Sequence, residues 1–485
     1  MENYTYSQTI GQEAISNISL RYLKIPSDLP GFINTDTIEC GTKTGRRGYR
    51  LAGKLQEIEC ERVCKCGSKL HIHNQHPITL RHLNFGAAFT SITFPHIQYI
   101  CPNCGLTKMQ DIPFKAKGHM ITSPLKTYVE DLLFNGATLK SVSQITGLGQ
   151  NVVKAIDKER LKKKYLINGK LKKPETTAKI LGIDEFKLHD GYKYATHIID
   201  MRTGHILWIS EGKKKQVVYD FIEFVGMKWM GNVEAVACDM NSDFQSAFQE
   251  KCEWIQPVFD YFHIVQNFNE HVISSVRKDE QQRLLDEGRS NEAKALKGSK
   301  YILTSSRETL QKKDDEAKEG KLLRKGSEVF RVKAIERTAG HVERYNQLLK
   351  ENKLFFTIDL VKEKLKAAYA TDNEAKMAEE ISAIIEICKA TKNRHFYWFG
   401  RLLFNHFEGI IAHATYHITS GKVEGINNKI KTIRRQGYGY PDDEYFFLKL
   451  FDASRHKYEK NIPSQKLLTD ETKKGTPHNE TLLPN

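Results

Sequence analysis

Five of the nine cysteines, Cys60, Cys64, Cys66, Cys101 and Cys104, crowd into residues 60–104, while Cys40, Cys238, Cys252 and Cys388 are scattered. An odd number, with no apolar leader in the polar stretch from Met1 to Leu20, argues against a disulfide framework and for a metal cluster. In Cys101-Pro-Asn-Cys104-Gly105 a two-residue spacer lets both thiolates reach one ion, and the glycine permits the tight turn below it. Upstream, Cys60-x3-Cys64-x-Cys66-Gly67 offers three thiols. Cys66 precedes a glycine just as Cys104 does, which makes it the surest upstream ligand. Cys64 is its preferred partner and Cys60 the reserve; His71 and His73 stay open as donors. Cys64, Cys66, Cys101 and Cys104 would close a tetrahedral zinc site, structural because no position is left for water. The competing reading is four reduced thiols in a small core.

The remaining composition narrows the class of protein. At 485 residues the chain predicts about three domains. No run of ~18 apolar residues could cross a bilayer as a helix, so a soluble, cytoplasmic protein without a membrane partner is expected. The net charge of +15 points to a polyanionic partner, most often nucleic acid.

Residues 124–165 carry the pattern of three short helices. Leu125, Tyr128, Val129, Leu132 and Leu133 form one apolar face that stops at Gly136. Thr138 can cap a second helix bearing Leu139, Val142 and Ile145. Gly147-Leu-Gly149 makes a turn, and Gln150 opens a third helix with Val152, Val153 and Ile156 inward. A helix-turn-helix of this kind offers Gln150, Asn151 and Lys154 to a major groove. The basic run that follows, with Lys158 and Lys162, suits phosphate contact. An ordinary three-helix packing unit with a solvated basic face is the competing reading.

Beyond Lys179 strands and helices alternate, in the order strand, strand, strand, helix, strand, helix, strand. Leu181-Gly-Ile-Asp-Glu-Phe186 is a buried strand interrupted by acids, and Val233-Glu-Ala-Val-Ala-Cys238 ends at Asp239. In such an order the first and fourth strands are neighbours, so Asp184 and Asp239 would face each other. Two carboxylates so placed repel unless a cation sits between them, and Mg²⁺ or Mn²⁺ supplies that charge. Two such ions would serve phosphodiester chemistry. The third carboxylate this needs is best sought at Glu424, a lone acid among Lys422, Lys429, Lys431, Arg434 and Arg435 on a helix with Val423, Ile426, Ile430 and Ile433 inward. Glu185 and Asp243 are neighbouring acids that could be confused with the pair. A solvated surface acid is the competing reading of Glu424.

The cysteine knuckle, the helix-turn-helix, Gly182-Ile-Asp-Glu, Cys238-Asp-Met, Phe259-Asp-Tyr-Phe-His-Ile-Val265 and Lys422-Val-Glu-Gly-Ile-Asn-Asn-Lys-Ile430 together resemble bacterial insertion-sequence transposases of the "ISL-three" type, over roughly residues 57–455. That resemblance implies a ribonuclease-H-like catalytic domain with an Asp-Asp-Glu triad at Asp184, Asp239 and Glu424. Asp260-x-x-His263 is similar to a motif found between the second Asp and the Glu of related transposases, which gives Asp260 and His263 a supporting role. It also implies double-stranded DNA as partner, both terminal inverted repeats and target, with a homodimer in the DNA complex. The site of action would be the bacterial cytoplasm, at the nucleoid.

The fold class expected is therefore multidomain α/β: a ribonuclease-H-like mixed-sheet core with an all-helical insertion, preceded by a small zinc-binding domain and a helix-turn-helix. The boundaries read as 1–56, a poorly defined and partly flexible segment; 57–118, zinc-binding; 119–175, helix-turn-helix; 176–278, first part of the core; 279–400, helical insertion; 401–455, last part of the core with Glu424; and 456–485, a flexible tail. DNA contacts are assigned to Gln150, Asn151, Lys154, Lys158, Lys162, Lys429, Arg434 and Arg435, structural Zn²⁺ to the four cysteines, and two Mg²⁺ or Mn²⁺ to the three acids. The function expected is a DNA transposase that cuts and joins strands. Two other readings stay open: a non-catalytic zinc/helix-turn-helix regulator derived from a transposase, and a ribonuclease-H-fold nuclease. Arg394-His-Phe-Tyr-Trp-Phe399, basic and aromatic, reads as a packed helix end, with stacking on an unpaired base as its alternative.

Overall fold

In the computed structural model the residues described are 29–41, 45–56, 62–191, 193–240, 242–319, 321–325, 328–332, 340–419, 421–437 and 439–455. Residues 1–28, Cys60 and the expected tail 456–485 lie outside them. The chain forms two compact units, 1–173 with 428–450 and 174–427 with 451–485.

The first unit opens on a five-stranded sheet. Strand β1 (Phe32–Gly41) pairs antiparallel with β2 (Arg47–Leu55), β3 (His71–Phe85) pairs antiparallel with β4 (Ala88–Ile100), and β2 runs parallel to β4. A short β5 (Thr107–Met109) borders β4. Alternation builds the sheet: Ala88, Thr90, Ile92 and Phe94 of β4 are buried in turn, and Phe32, Leu51, Leu80, Ile92, Phe94 and Phe114 meet in one core. Within the expected segment 1–56, two stretches are strands of this sheet. These are residues 32–41 and 47–55, whose pleat, bent by an irregularity at Asn34/Asp36, masks the two-residue period.

Three helices follow: α1 (Ser123–Phe134), α2 (Leu139–Thr146) and α3 (Gln150–Tyr165). Thr122 and Thr138 cap the first two by accepting from Leu125 N and Ser141 N. Gly147 ends α2 at φ 72°, a left-handed conformation that glycine adopts without strain. Leu125, Val129, Leu133, Val142, Val153 and Ile156 close the small core. The last carbonyls of α2 are capped from the sheet: Arg46 donates to Gln144 O at 2.9 Å, Asn84 to Ile145 O at 2.7 Å and Arg81 to Thr146 O at 2.7 Å. Positive and dipolar donors at a helix C-terminus are favourable, so sheet and helices are fastened together.

The second unit is built on β6 (Ile180–Lys187), β7 (Tyr194–Asp200) and β8 (Ile206–Glu211), an antiparallel meander. After α4 (Lys215–Val225), β9 (Ala235–Ala237) returns parallel to β6, and after α5 (Ser242–Lys251), β10 (Gln256–Val258) lies parallel to β9. The strand order is β8-β7-β6-β9-β10. Then come α6 (Tyr261–Asn267), α7 (Ser274–Asp286) and α8 (Arg307–Glu319); β11 (Lys321–Lys325) pairs antiparallel with β12 (Glu328–Val332). Helices α9 (His341–Glu351), α10 (Lys353–Tyr369), α11 (Glu374–Ala390) and α12 (Arg394–Asn405) complete the segment. Its expected all-helical character is thus corrected by one hairpin. Glu328-Val-Phe-Arg-Val332 contains two β-branched valines and a phenylalanine, residue types that favour strand over helix. One continuous core runs from Leu181 and Ile183 on β6 through Phe221 and Phe248 to Ile381, Phe396 and Phe399.

Two helices remain, α13 (Gly421–Gln436) and α14 (Asp443–Arg455), each divided between the units. Among the described residues no helix is long and apolar enough to cross a membrane.

Candidate functional site

The cysteines are gathered by two local turns. Gly67 N donates to Cys64 O at 2.9 Å and Gly105 N to Cys101 O at 3.0 Å, with both glycines at positive φ (85° and 70°). Cys64 Sγ lies 3.6 Å from Cys104 Sγ, and Cys66 Sγ 3.5 Å from Cys101 Sγ. All four sulfurs fall within 4.8 Å of one another. Zn–S bonds of about 2.3 Å in a tetrahedron place sulfurs roughly 3.8 Å apart, so the quartet fits a structural zinc ion. The amide and hydroxyl of Ser68 pull the Cys66 thiol down to about 6, toward the thiolate a metal requires. His71 and His73, on β3, are not part of the quartet.

The acids sit at one end of the second sheet. Asp184 lies near the end of β6 and Asp239 two residues beyond β9. Ala237 pairs with Gly182, and each acid follows its member of that pair by two residues. Glu185 N donates to Asp184 Oδ1 at 2.8 Å and Met240 N to Asp239 Oδ1 at 2.7 Å. Burial raises the Glu185 carboxyl above its usual range, and the charges of Asp184, Asp239 and Asp243 add to the rise, against Lys213. Four acids therefore share one field. His263, on the first turn of α6, brings Nδ1 to 3.7 Å from Asp239 Oδ1. Asp260 is buried at the N-cap position of the same helix.

Glu424 stands exposed on the first turn of α13. Its neighbours tie that turn to β6. A Cβ on Gly182 would come within 2.9 Å of Val423 Cγ2, so only glycine admits this approach. Lys422 Nζ donates to the carbonyls of Met201 and Arg202, each at 2.7 Å. Asn427, one helical turn beyond Glu424, donates through Nδ2 to Asp184 Oδ2 at 2.5 Å, while its Oδ1 lies 2.8 Å from His197 Nε2. Burial holds the His197 pKa down, so the neutral ring donates from Nε2 and fixes the Asn427 amide toward Asp184. The three acids themselves are not gathered as tightly as the thiols: among the described residues, the cysteine quartet is the group of at least three ligand atoms within 4.8 Å.

The expected DNA contacts divide. Gln150 and Asn151 are exposed at the start of α3. Lys154 and Lys158 reach Asp442 Oδ2 at 3.2 and 3.0 Å, and Lys158 and Lys162 reach Glu444 at 2.9 and 2.8 Å. These ammonium groups are taken up by ion pairs with residues at the start of α14. Beneath them Asp157, fully buried, accepts from Arg160, from Tyr445 Oη at 2.6 Å and from Lys449 Nζ at 3.1 Å. Lys429 reaches the surface yet is crowded enough that desolvation lowers its pKa. Arg435 is exposed and Arg434 half-buried further along α13.

Residues 181–450 match the sequence profile of a family described as transposases, the ISL3 type of DDE transposase. The chain belongs to this family. The transposase is also similar to the transposase for insertion sequence element IS1001 of Bordetella parapertussis, at 25% identity over 406 residues that cover 83% of this chain and 91% of that protein. The matched span of the transposase contains Asp184, Asp239 and Glu424; the quartet of cysteines lies before it.

Sequence reasoning gave no role to His197 or Asn427. Both carried a signal: a histidine inside Ala195-Thr-His-Ile-Ile199, an otherwise strand-forming run, and a paired asparagine one turn after Glu424. Neither says alone what it touches.

Proposed function

We propose that this transposase binds the terminal inverted repeats of an insertion sequence and catalyses metal-dependent DNA strand cleavage and strand transfer, with Asp184, Asp239 and Glu424 as its catalytic acids. The reading rests above all on the parallel pairing of β6 with β9, which brings Asp184 and Asp239 to one sheet end beside the helix of Glu424. The strand order β8-β7-β6-β9-β10, with three antiparallel strands followed by two parallel ones, supports a ribonuclease-H-like core.

A donor set of carboxylates suits hard divalent cations, Mg²⁺ or Mn²⁺. Glu185 is raised first by burial, and the neighbouring charges of Asp184, Asp239 and Asp243 add a smaller repulsion that such cations would relieve. Asp184, Asp239 and Glu424 would hold two ions, which when bound supply the positive charge that phosphodiester cleavage needs. Asn427 orients Asp184. His263 stands beside Asp239 and, when protonated, lends it a positive neighbour. Glu424, exposed on the first turn of α13, would complete the donor set.

End recognition falls to the first unit. Gln150 and Asn151 head the helix that follows the Gly147–Gly149 turn, the position from which such helices read base edges. The zinc-held sheet backs them, fastened through Arg46, Asn84 and Arg81. The transposase must hold two element ends at once, so a homodimer in the DNA complex follows.

The test is a strand-cleavage assay on DNA carrying the element's inverted repeat in Mg²⁺. Asp184→Asn, Asp239→Asn and Glu424→Gln should each bind the end as the natural chain does and fail to cut. Full cleavage by any of the three overturns the assignment.

A further inference from the structure

Helix α12 carries two apolar faces where one would suffice. Phe396, Phe399, Gly400 and Leu403 point into the core. Arg394, Tyr397, Trp398, Arg401, Phe404 and Asn405 recur at helical spacing on the opposite side and are all exposed. Three large aromatics stand in that outward row: Tyr397 is 54% exposed, Trp398 39% and Phe404 68%. No core needs them there. Trp398 rests on His271, with ring centres 4.5 Å apart, which leaves its outer face open.

The charges of the face sort in one direction. It contains two arginines and no acid. Arg394 is held by Asp279 at 2.8 Å, whereas Arg401, midway between Trp398 and Phe404, has no ion pair or hydrogen bond among the described residues. At its C-terminal end the row meets a cavity of about 520 Å³ whose polar lining includes His406 and the amides of Gln245, Gln249 and Asn405, with Lys389 set against Glu386 and Glu408. Amide groups of this kind can meet base edges as donors and acceptors. The cavity borders the acidic site: the Asp239 charge acts on His406, and Gln245 and Gln249 lie on α5, the helix that begins just after Asp239.

We propose that this face binds unpaired nucleotides of the DNA end, their bases stacked on Tyr397, Trp398 and Phe404 and a phosphate on Arg401. It rests on the reading of the chain as a DNA strand-cutting enzyme. Bases stack on aromatic rings whatever their sequence, and arginines between the rings meet the backbone. A second copy of the chain is the poorer occupant, because laying this face on itself would bring together arginines of which Arg394 alone has an acid, Asp279, to answer it.

The experiment uses the full chain and two probes, a duplex carrying an oligo(dT) overhang and the same duplex blunt-ended. The natural protein should prefer the overhang, with quenching of tryptophan fluorescence. Tyr397→Ala with Phe404→Ala should weaken overhang binding about ten-fold or more, leaving blunt binding and thermal melting unchanged. Tyr397→Phe with Phe404→Trp should retain it, and Arg401→Gln should lower its salt dependence. Equal binding of both probes by the natural and double-Ala proteins overturns the proposal. So does sedimentation showing that the double variant merely loses a dimer formed without DNA. If these variants bind normally while Asp184→Asn abolishes cleavage, the stacking face falls and the catalytic reading stands. If overhang binding responds as expected but the natural chain cuts no inverted-repeat DNA, the reverse holds.

Discussion

The four thiols and the three acids differ in how much chain has to be brought together. Cys64 and Cys66 share one turn, Cys101 and Cys104 another, and the β3–β4 hairpin lies between the two turns in sequence. Everything that gathers them is local, and they are gathered completely. Asp184, Asp239 and Glu424 come from a strand, a strand end and a helix separated by the whole helical segment. They share a sheet end without closing on one another. A structural metal site gains by being closed and rigid; a site that must admit DNA gains by staying open until the substrate arrives.

The sharpest way to break that contrast is to remove one acid. Asp239→Asn should reduce strand cleavage by at least about a hundred-fold while leaving thermal stability and end binding unchanged. Removing one thiol should do the converse. Cys101→Ser, or a zinc chelator, should destabilise the first unit by more than about 4 kcal/mol and abolish end binding, read by metal content and melting. If Cys101→Ser instead melts normally and retains its metal content, the quartet is not a structural site.

Smaller changes sharpen the comparison. Asn427→Ala removes the donor that orients Asp184, so Mn²⁺ affinity should fall about ten-fold with no loss of DNA binding. Tyr445→Phe removes one hydrogen bond to the buried Asp157 and should cost about 1–2 kcal/mol in urea unfolding. The mildest effect is in acid. Burial pushes the Asp442 carboxyl up, but Lys158, the Tyr445 amide and Lys154 outweigh it and hold it at about 2, below its ordinary 3.8. Its stabilising contribution should be full above about pH 3.8 and lost as the pH falls toward 2, a dependence that Asp442→Asn would flatten.

Legibility followed the same division. The Thr138 cap, the turn at Gly147 and the two cysteine turns are local chemistry, and local chemistry is written in consecutive residues. The neighbouring of Asp184 and Asp239 followed from strand order alone. Long-range partnerships were not readable. Nothing in the basic run after Gln150 says that Lys154, Lys158 and Lys162 face Asp442 and Glu444, almost three hundred residues on. Strands β1 and β2 escaped notice because they join the sheet only through the pairing of β2 with β4, which lies beyond the cysteine turn that begins at Cys64. On α12 the sequence showed aromatics and arginines but could not separate the buried Phe396 and Phe399 from the exposed Tyr397 and Phe404.

The most direct measurement of the central claim is a metal switch at Asp239. A thiolate binds Mg²⁺ poorly and softer ions better. Asp239→Cys should therefore bind inverted-repeat DNA normally, fail to cut it in Mg²⁺, and recover cleavage when Mn²⁺ is supplied. Cleavage by Asp239→Cys in Mg²⁺ at the rate of the natural chain would show that Asp239 holds no metal, and the account of the carboxylate site would fail.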